Sequence, residues 1–210
     1  MTKINTPRTF ARIAGFSYLI IFFTAIFANF FVLEALLKAP EETIFNNHIM
    51  VRLGIMAFLV TVVFDVVVAW ALNELYKHHS LSQPSTLFRM MHAAIMGVAL
   101  FPLVQTLEAT TAHDILHLIK LFNTIWLIGL FFFGVHLIFL GRIIKTPKVI
   151  AAFLGIAGLM YMVDTAAHFL MANYDSYSNI FLALVAIPSI VGEMSFAIWL
   201  LIKGGKNINS

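Results

Sequence analysis

The chain contains 210 residues, of which 61% are hydrophobic and only 11% are charged. Soluble domains carry about 45–50% apolar and about 25% charged residues, so this composition excludes an ordinary soluble globular protein. The net charge of +3 comes from basic residues at the ends of apolar runs rather than on one face, which argues against a nucleic-acid partner. Cysteine is absent, which excludes a disulfide framework, a thiolate nucleophile and a Cys-based metal site.

Six apolar stretches are long enough to cross a bilayer core of about 30 Å, which needs roughly 20 residues. The predicted spans are residues 13–33, 53–75, 87–104, 121–140, 149–171 and 180–202. They predict an all-α protein, a polytopic transmembrane helix bundle that forms one membrane domain over residues 1–210. The first span follows Lys3, Arg8 and Arg12 and is too long for the apolar core of a cleaved signal peptide, so we expect it to be retained. The runs are continuously apolar, whereas transmembrane strands alternate.

The lysines and arginines between the spans indicate an orientation, because the cytoplasmic loops of membrane proteins are enriched in these residues. With both termini in the cytoplasm, ten of them lie inside, Arg89 included, and three lie outside, namely Lys38, Arg52 and Lys120. The opposite orientation inverts the asymmetry. We therefore expect six spans with the N-terminus and the C-terminus in the cytoplasm.

Four ionisable residues lie deep within the predicted spans, where a charged side chain costs about 2.5–3.5 kcal/mol on insertion scales. Asp65 lies in the second span, His136 in the fourth, Asp164 in the fifth and Glu193 in the sixth. Each has small or polar neighbours at helical spacing, so we expect these side chains to face the bundle interior. They form the predicted intramembrane polar site. We expect a chain of groups along one interior cavity, in which Asp65 can meet Glu193, rather than a compact four-ligand metal site.

Three further residues are secondary candidates for the polar site. His92 lies near the inner end of the third span, and Tyr161 and His168 share the helix face of Asp164 in the fifth. His92 and His136 are predicted at the same depth, which axial haem ligands require, so a haem site is one alternative.

The segment before the fourth predicted span contains two histidines four residues apart. On a helix, His113 and His117 share a face and could bind a divalent metal. The zinc-protease pattern has Glu directly after the first histidine, whereas Asp114 stands here and no third ligand is evident nearby. A solvated helix at the membrane interface is the favoured interpretation, and a metal site is the alternative.

The order and spacing of polar residues and glycines resemble one family over nearly the full chain. The marks in its middle are Phe133-Gly134-Val135-His136-Leu137, Gly141, Pro147, Gly155, Gly158, Tyr161 and Asp164. Those nearer its ends are Arg12-Ile13-Ala14-Gly15, Tyr18-Leu19, Asp65 followed by Leu75-Tyr76, and Glu193 followed by Trp199-Leu200-Leu201-Ile202-Lys203-Gly204. This pattern is similar to the bacterial domain of unknown function 4386 family.

The resemblance implies a bacterial multi-pass membrane protein and implies no reaction. It adds weight to the four residues of the predicted polar site, which match the family-like pattern. Four histidines do not clearly belong to that pattern, namely His92, His113, His117 and His168, and this weakens the haem and metal alternatives.

The sequence favours a protein of the bacterial cytoplasmic membrane that handles a small solute, ion or proton through the polar site. Its expected partners are the lipid bilayer and that solute or ion, and no cofactor and no enzymatic activity are expected. One alternative is a membrane-embedded enzyme or a metal- or haem-binding protein. The other is a structural or accessory membrane subunit. A transport role predicts a water-filled cavity that reaches one surface.

Overall fold

A computed structural model describes residues 6–145 and 147–205, and its regular structure is helical over those ranges. In chain order the helices are α1 (Pro7–Lys38), α2 (Pro40–Asn46), α3 (His48–Leu75), α4 (Ser82–Gln105), α5 (Ala112–Ile143), α6 (Lys148–Leu170) and α7 (Ser178–Ile202). All of these except the short α2 are long and apolar enough to span a membrane, which gives six candidate spans in the described residues. The predicted transmembrane helix bundle is thereby confirmed.

Local sequence sets where the helices begin and how they continue. At α1, the Thr6 side chain accepts a hydrogen bond from the Thr9 amide at 3.3 Å, and Pro7 supplies the backbone angle of the first turn. Within α1, Phe27–Leu33 is a π-helical segment between two α-helical stretches. A one-turn 3₁₀ helix, Tyr174–Ser176, lies between α6 and α7.

Helix α5 begins nine residues before the predicted fourth span. Its cap is Thr111, whose side chain accepts a hydrogen bond from the Asp114 amide at 3.2 Å. His113 and His117 therefore lie in the first turns of a long spanning helix, and both are exposed.

The outer surface of the bundle is apolar. The exposed fraction is 65% for Phe23, 67% for Phe101 and 63% for Ile187. Soluble monomers rarely expose contiguous apolar surface on this scale, so these side chains need a lipid solvent.

The interior contains two clusters of buried apolar side chains. One includes Leu72, Leu137 and Phe196, and the other includes Leu36, Phe58 and Ile115. On α3, Asp65 lies between Phe58 of the second cluster and Val68 of the first. The polar residues considered below therefore begin where the two apolar clusters meet.

The start of α1 packs against the end of α7. Arg8 Nη1 donates to the carbonyls of Leu200 at 2.9 Å and Gly204 at 2.8 Å, and Nη2 donates to that of Leu201. These carbonyls have no partner within the helix, and a cation also complements the negative end of its dipole. We call this side of the bundle the termini end. The α3–α4 and α5–α6 connections lie there too, because residues of both line one cavity with the end of α7.

Candidate functional site

Arg89 is the largest fully buried side chain of the described residues, with 1% of its surface exposed. It lies seven residues into α4, about 10 Å along the helix from the termini end. The orientation argument counted it as a charge on the inner flank, and the structure corrects this. Without Arg89 the sequence has nine basic residues on the predicted inner side against three on the outer side, which favours the same orientation.

The partner of Arg89 is Asp65 on α3, itself 3% exposed. Arg89 Nη2 donates to Asp65 Oδ1 at 2.5 Å, and Nη1 donates to the Tyr18 hydroxyl on α1 at 2.8 Å. The second carboxylate oxygen of Asp65 lies 3.7 Å from His92 Nε2. Three helices are thus joined through one buried guanidinium.

His136 on α5 completes this group. Arg89 Nη1 lies 3.2 Å from its Nε2, and its Nδ1 lies 2.9 Å from the Ser85 carbonyl oxygen. A guanidinium can only donate, so Nε2 accepts and the proton is on Nδ1, which donates to Ser85. His136 is therefore neutral while Arg89 occupies this position.

Aromatic rings enclose the guanidinium and separate it from a second polar group. The Arg89 Cζ atom lies 4.8 Å from the Tyr18 ring centroid and 5.2 Å from that of Phe133. Both distances are within the range of cation–π attraction. The other neighbour of Phe133 is Tyr161 on α6, whose ring centroid is 5.4 Å away.

Glu193 on α7 belongs to this second group. Ser189 Oγ donates to Glu193 Oε1 at 2.7 Å, and the Tyr161 hydroxyl lies 2.9 Å from Ser189 Oγ. Among the described residues, no cation lies within 4 Å of the Glu193 carboxylate. Asp65 and Glu193 thus lie at similar depths, about 15 and 14 Å along their helices from the termini end, with different partners.

Asp164 lies apart from both groups, six residues before the end of α6 that is remote from the termini end. The Tyr174 hydroxyl donates to Asp164 Oδ1 at 2.7 Å, and the ring centroids of His168 and Tyr174 are 4.7 Å apart. Burial, followed by the bond to Asp164, raises the pKa of the Tyr174 hydroxyl, which therefore remains a donor at neutral pH. This group ties the connection before α7 to α6.

Two cavities lie on the side of Arg89 that faces the termini end. A small one of about 10 Å³ adjoins Ser85 and His136, and a large open one of about 670 Å³ lies at the termini end itself. Both are lined by Tyr76 and Ile143. The smaller volume is about what one water molecule needs. The Tyr76 hydroxyl is buried and has no hydrogen-bond partner among residues 6–145 and 147–205, so it is a polar group between the two cavities that such a water would satisfy.

The four residues of the predicted polar site therefore fall into three groups. Asp65 and His136 meet through Arg89, with His92 beside them; Glu193 joins Tyr161; Asp164 joins the Tyr174 and His168 pair. Of the four, His136 lines a cavity. Within the described ranges no three His, Cys, Asp or Glu side chains are grouped so as to hold a metal ion, and this applies to His113 and His117 as well.

Sequence reasoning missed Arg89 and Tyr18. A usable signal for Arg89 was present, because it stands inside the predicted third span, three residues before His92 and on the same helix face. Tyr18 had a weaker signal: Tyr18-Leu19 is one of the marks of the family resemblance, but a tyrosine in an apolar run is ordinary at a membrane interface.

Comparison with known proteins gives a family and one relative. The family described as Domain of unknown function (DUF4386) matches residues 13–204. An "Uncharacterized protein" of Archaeoglobus fulgidus is 30% identical over 159 residues, which cover 73% of this chain and 85% of the relative. No solved structure matches the chain.

Proposed function

We propose that this chain, which belongs to the family described as Domain of unknown function (DUF4386), handles a small solute, ion or proton through the polar groups around Arg89 and Glu193. The chain is an integral membrane protein by its six apolar helices and its family. The packing around Arg89 favours the proton among these three, because the adjoining cavity of about 10 Å³ has room for water and for little more.

The observation that carries the proposal is the contrast between two carboxylates at similar depth. Asp65 is neutralised by Arg89 at 2.5 Å, whereas among the described residues the Ser189 hydroxyl is what holds Glu193. An ionised carboxylate without a cation is expensive within a bilayer, so Glu193 can exist there as a neutral acid. Carboxylates whose surroundings differ in this way take different roles, one as a fixed charge and one as a proton donor and acceptor.

In this mechanism Glu193 gains and loses the proton, and the Ser189 and Tyr161 hydroxyls form the hydrogen-bonded chain next to it. The Asp65–Arg89 pair supplies a fixed charge on the other side of Phe133, whose ring also contacts Tyr161. Neutral His136 and the water-sized cavity lie towards the termini end. There, the open cavity of about 670 Å³ is the route from solvent.

The same proposal includes the membrane in which the protein lies and its orientation there. The protein lies in a bacterial cytoplasmic membrane with both termini in the cytoplasm, which makes the open cavity a cytoplasmic entrance. The support is the excess of basic residues at the termini end.

Proton flux into vesicles tests this function. Purified protein in phosphatidylcholine vesicles that contain a pH-sensitive dye should dissipate an imposed pH gradient faster than protein-free vesicles. Glu193→Gln should reduce the rate to that of protein-free vesicles, because the amide cannot exchange a proton. Glu74→Gln is the matched control: it makes the same change on α3, in a half-buried side chain 4.0 Å from Lys77.

The accessory-subunit alternative predicts a different outcome. If the polar groups only hold the helices together, the pH gradient will decay at the rate of protein-free vesicles with the wild-type protein and with both variants. Glu193→Gln will then appear only as a lower unfolding temperature, because the neutral amide oxygen accepts the Ser189 hydrogen bond more weakly than a carboxylate does.

A further inference from the structure

The open cavity at the termini end has a composition that proton transfer does not require. Its volume of about 670 Å³ is in the range of small-molecule sites, which are about 300–1,000 Å³. Its lysines and histidines come from the ends of three helices. They are Lys145 after α5, Lys203 after α7, and His78 and His79 after α3. Among the described residues that line it, none is acidic.

The other wall of this cavity is apolar and aromatic. It is formed by Leu75 at the end of α3, Ile143 and Ile144 at the end of α5, and Trp199 on α7. A tryptophan at the end of a spanning helix lies where lipid headgroups meet the acyl chains. The cavity therefore offers cations on one side and an apolar face on the other, at headgroup depth.

Lysines after helix ends often serve only to complement the helix dipole, and this explanation fails for Lys203. Arg8 already donates hydrogen bonds to the carbonyls of Leu200 and Leu201 in the last turn of α7, and to that of Gly204 just after it. Neither Lys145 nor Lys203 has an ion pair or a side-chain hydrogen bond within residues 6–145 and 147–205. Their ammonium groups are available to a ligand.

His79 adds a donor that needs no positive charge. Its Nδ1 accepts the Leu81 amide at 3.2 Å, so a neutral ring carries its proton on Nε2 and can donate there. Ammonium groups and an N–H donor without a nearby carboxylate form the kind of site that binds phosphate oxygens.

We propose that this cavity binds a phosphate-bearing anion, and that the headgroup of an acidic phospholipid is the form it accepts best. The lysines contact the phosphate oxygens, and the glycerol and first acyl carbons lie against Trp199 and the isoleucines. This inference does not depend on proton transfer at Glu193, because none of the residues it uses belongs to the polar groups around Arg89 and Glu193.

The test adds increasing amounts of each probe to the purified full chain in neutral detergent and measures the unfolding temperature of the protein at each concentration. Three probes are compared: short-chain phosphatidylglycerol, short-chain phosphatidylcholine and inorganic phosphate. Phosphatidylglycerol should raise the unfolding temperature saturably. Lys145→Gln and Lys203→Gln should each weaken its apparent affinity about fivefold, as expected for one lysine at an anionic headgroup. Lys148→Gln is the matched control, because Lys148 is exposed at the same end and does not line the cavity.

The outcomes of this titration distinguish the source of the phosphate and can overturn the proposed site. Stabilisation by phosphatidylglycerol alone, lost in the double variant Lys145→Gln/Lys203→Gln, identifies the lipid as the source of the phosphate. Equal stabilisation by inorganic phosphate, lost in the same variant, supports the site with a free anion as its ligand. The proposal is overturned if neither probe stabilises the protein, if phosphatidylcholine acts as strongly, or if Lys148→Gln weakens binding as much as the cavity variants.

Discussion

Arg89 shows how a single side chain organises the interior. Its guanidinium donates to Asp65 and Tyr18 and lies against His136 and the Phe133 ring, so three other helices meet at one charge. A buried ion pair of this kind costs desolvation that its attraction only partly repays. Its main energetic consequence is that neither partner can be removed alone.

A double-mutant cycle measures that dependence. Asp65→Leu and Arg89→Met should each lower the free energy of unfolding by about 3–5 kcal/mol, because each leaves one uncompensated charge inside the bundle. The double variant should be more stable than either single variant. Chemical denaturation in bicelles gives the four free energies.

The pair of exposed Lys77 and half-buried Glu74, 4.0 Å apart, supplies the control cycle. Its coupling should be about 0–1 kcal/mol, as for other solvated pairs. Additive losses for Asp65 and Arg89 would show that the two charges do not depend on each other, and the central contact described here would be wrong.

The sequence predicted Asp65 and His136 but not their partner Arg89. The reason is that a local pattern shows how unusual a residue is in its own apolar run, and not which residues it contacts. Carboxylates and imidazoles deep in apolar runs stand out by their insertion cost, whereas Arg89 stands only two residues inside the third predicted span and was read as its flanking charge. Its partner Asp65 is 24 residues away in the chain and His136 is 47 away. Only the packing of α3, α4 and α5 brings them together.

At the scale of elements, hydropathy located all six helices and misjudged some of their ends. It measures which residues lipid accepts, whereas a helix continues until its backbone is capped. Helix α5 therefore begins at its Thr111 cap, nine residues before the apolar run, and α1 continues through its π-helical segment to Lys38. The longer helices carry His113, His117 and Lys38 beyond the apolar core.

The contact between α5 and α6 depends on a pair of glycines. A Cβ atom at Gly134 would lie 2.5 Å from the Gly158 carbonyl oxygen, and one at Gly158 would collide with the Gly134 carbonyl oxygen. Both obstacles are backbone atoms, which cannot rotate away. Small residues permit this close approach, which drives helix association where lipid removes the hydrophobic effect.

Gly158→Ala should therefore destabilise the bundle by about 1–3 kcal/mol, because the two helices must separate. Gly155→Ala is the control on the same helix, since a Cβ atom there has no neighbour within 4 Å. The control should be neutral or up to about 1 kcal/mol more stable, because alanine is the better helix former. Equal stability of the two variants would mean that the glycine contact does not limit the distance between the helices.

At the scale of the whole molecule, polarity varies from the surface to the interior and along the bundle axis, rather than from one face of the bundle to another. The surface is apolar around the bundle, the central charges are paired or hydrogen-bonded, and basic residues collect at the termini end, where the large cavity opens. A soluble protein would bury the apolar side chains instead. The orientation of the bundle in the membrane therefore decides which side of the membrane the proposed proton entrance and the proposed lipid site face.

The last prediction concerns that orientation. With Arg89 removed from the count, the sequence has nine basic residues on the predicted inner side, seven of them among the described residues, and three on the other, and positive flanks are retained in the cytoplasm. A reporter active only in the cytoplasm should therefore work when fused after Ser210, a position outside the described residues, or inserted in the connection at residues 76–81. A reporter active only outside should work in the connection that contains Tyr174–Ser176, and also at residues 106–111 between α4 and α5. Agreement within each pair checks that a signal reflects topology rather than misfolding at one insertion. Reporters on the same side for Ser210 and the Tyr174–Ser176 connection would show that α7 does not cross the membrane, and the six-span topology would be wrong. A consistent inversion would keep the six helices and reverse the membrane, so that the lysine-lined cavity would face away from the cytoplasm.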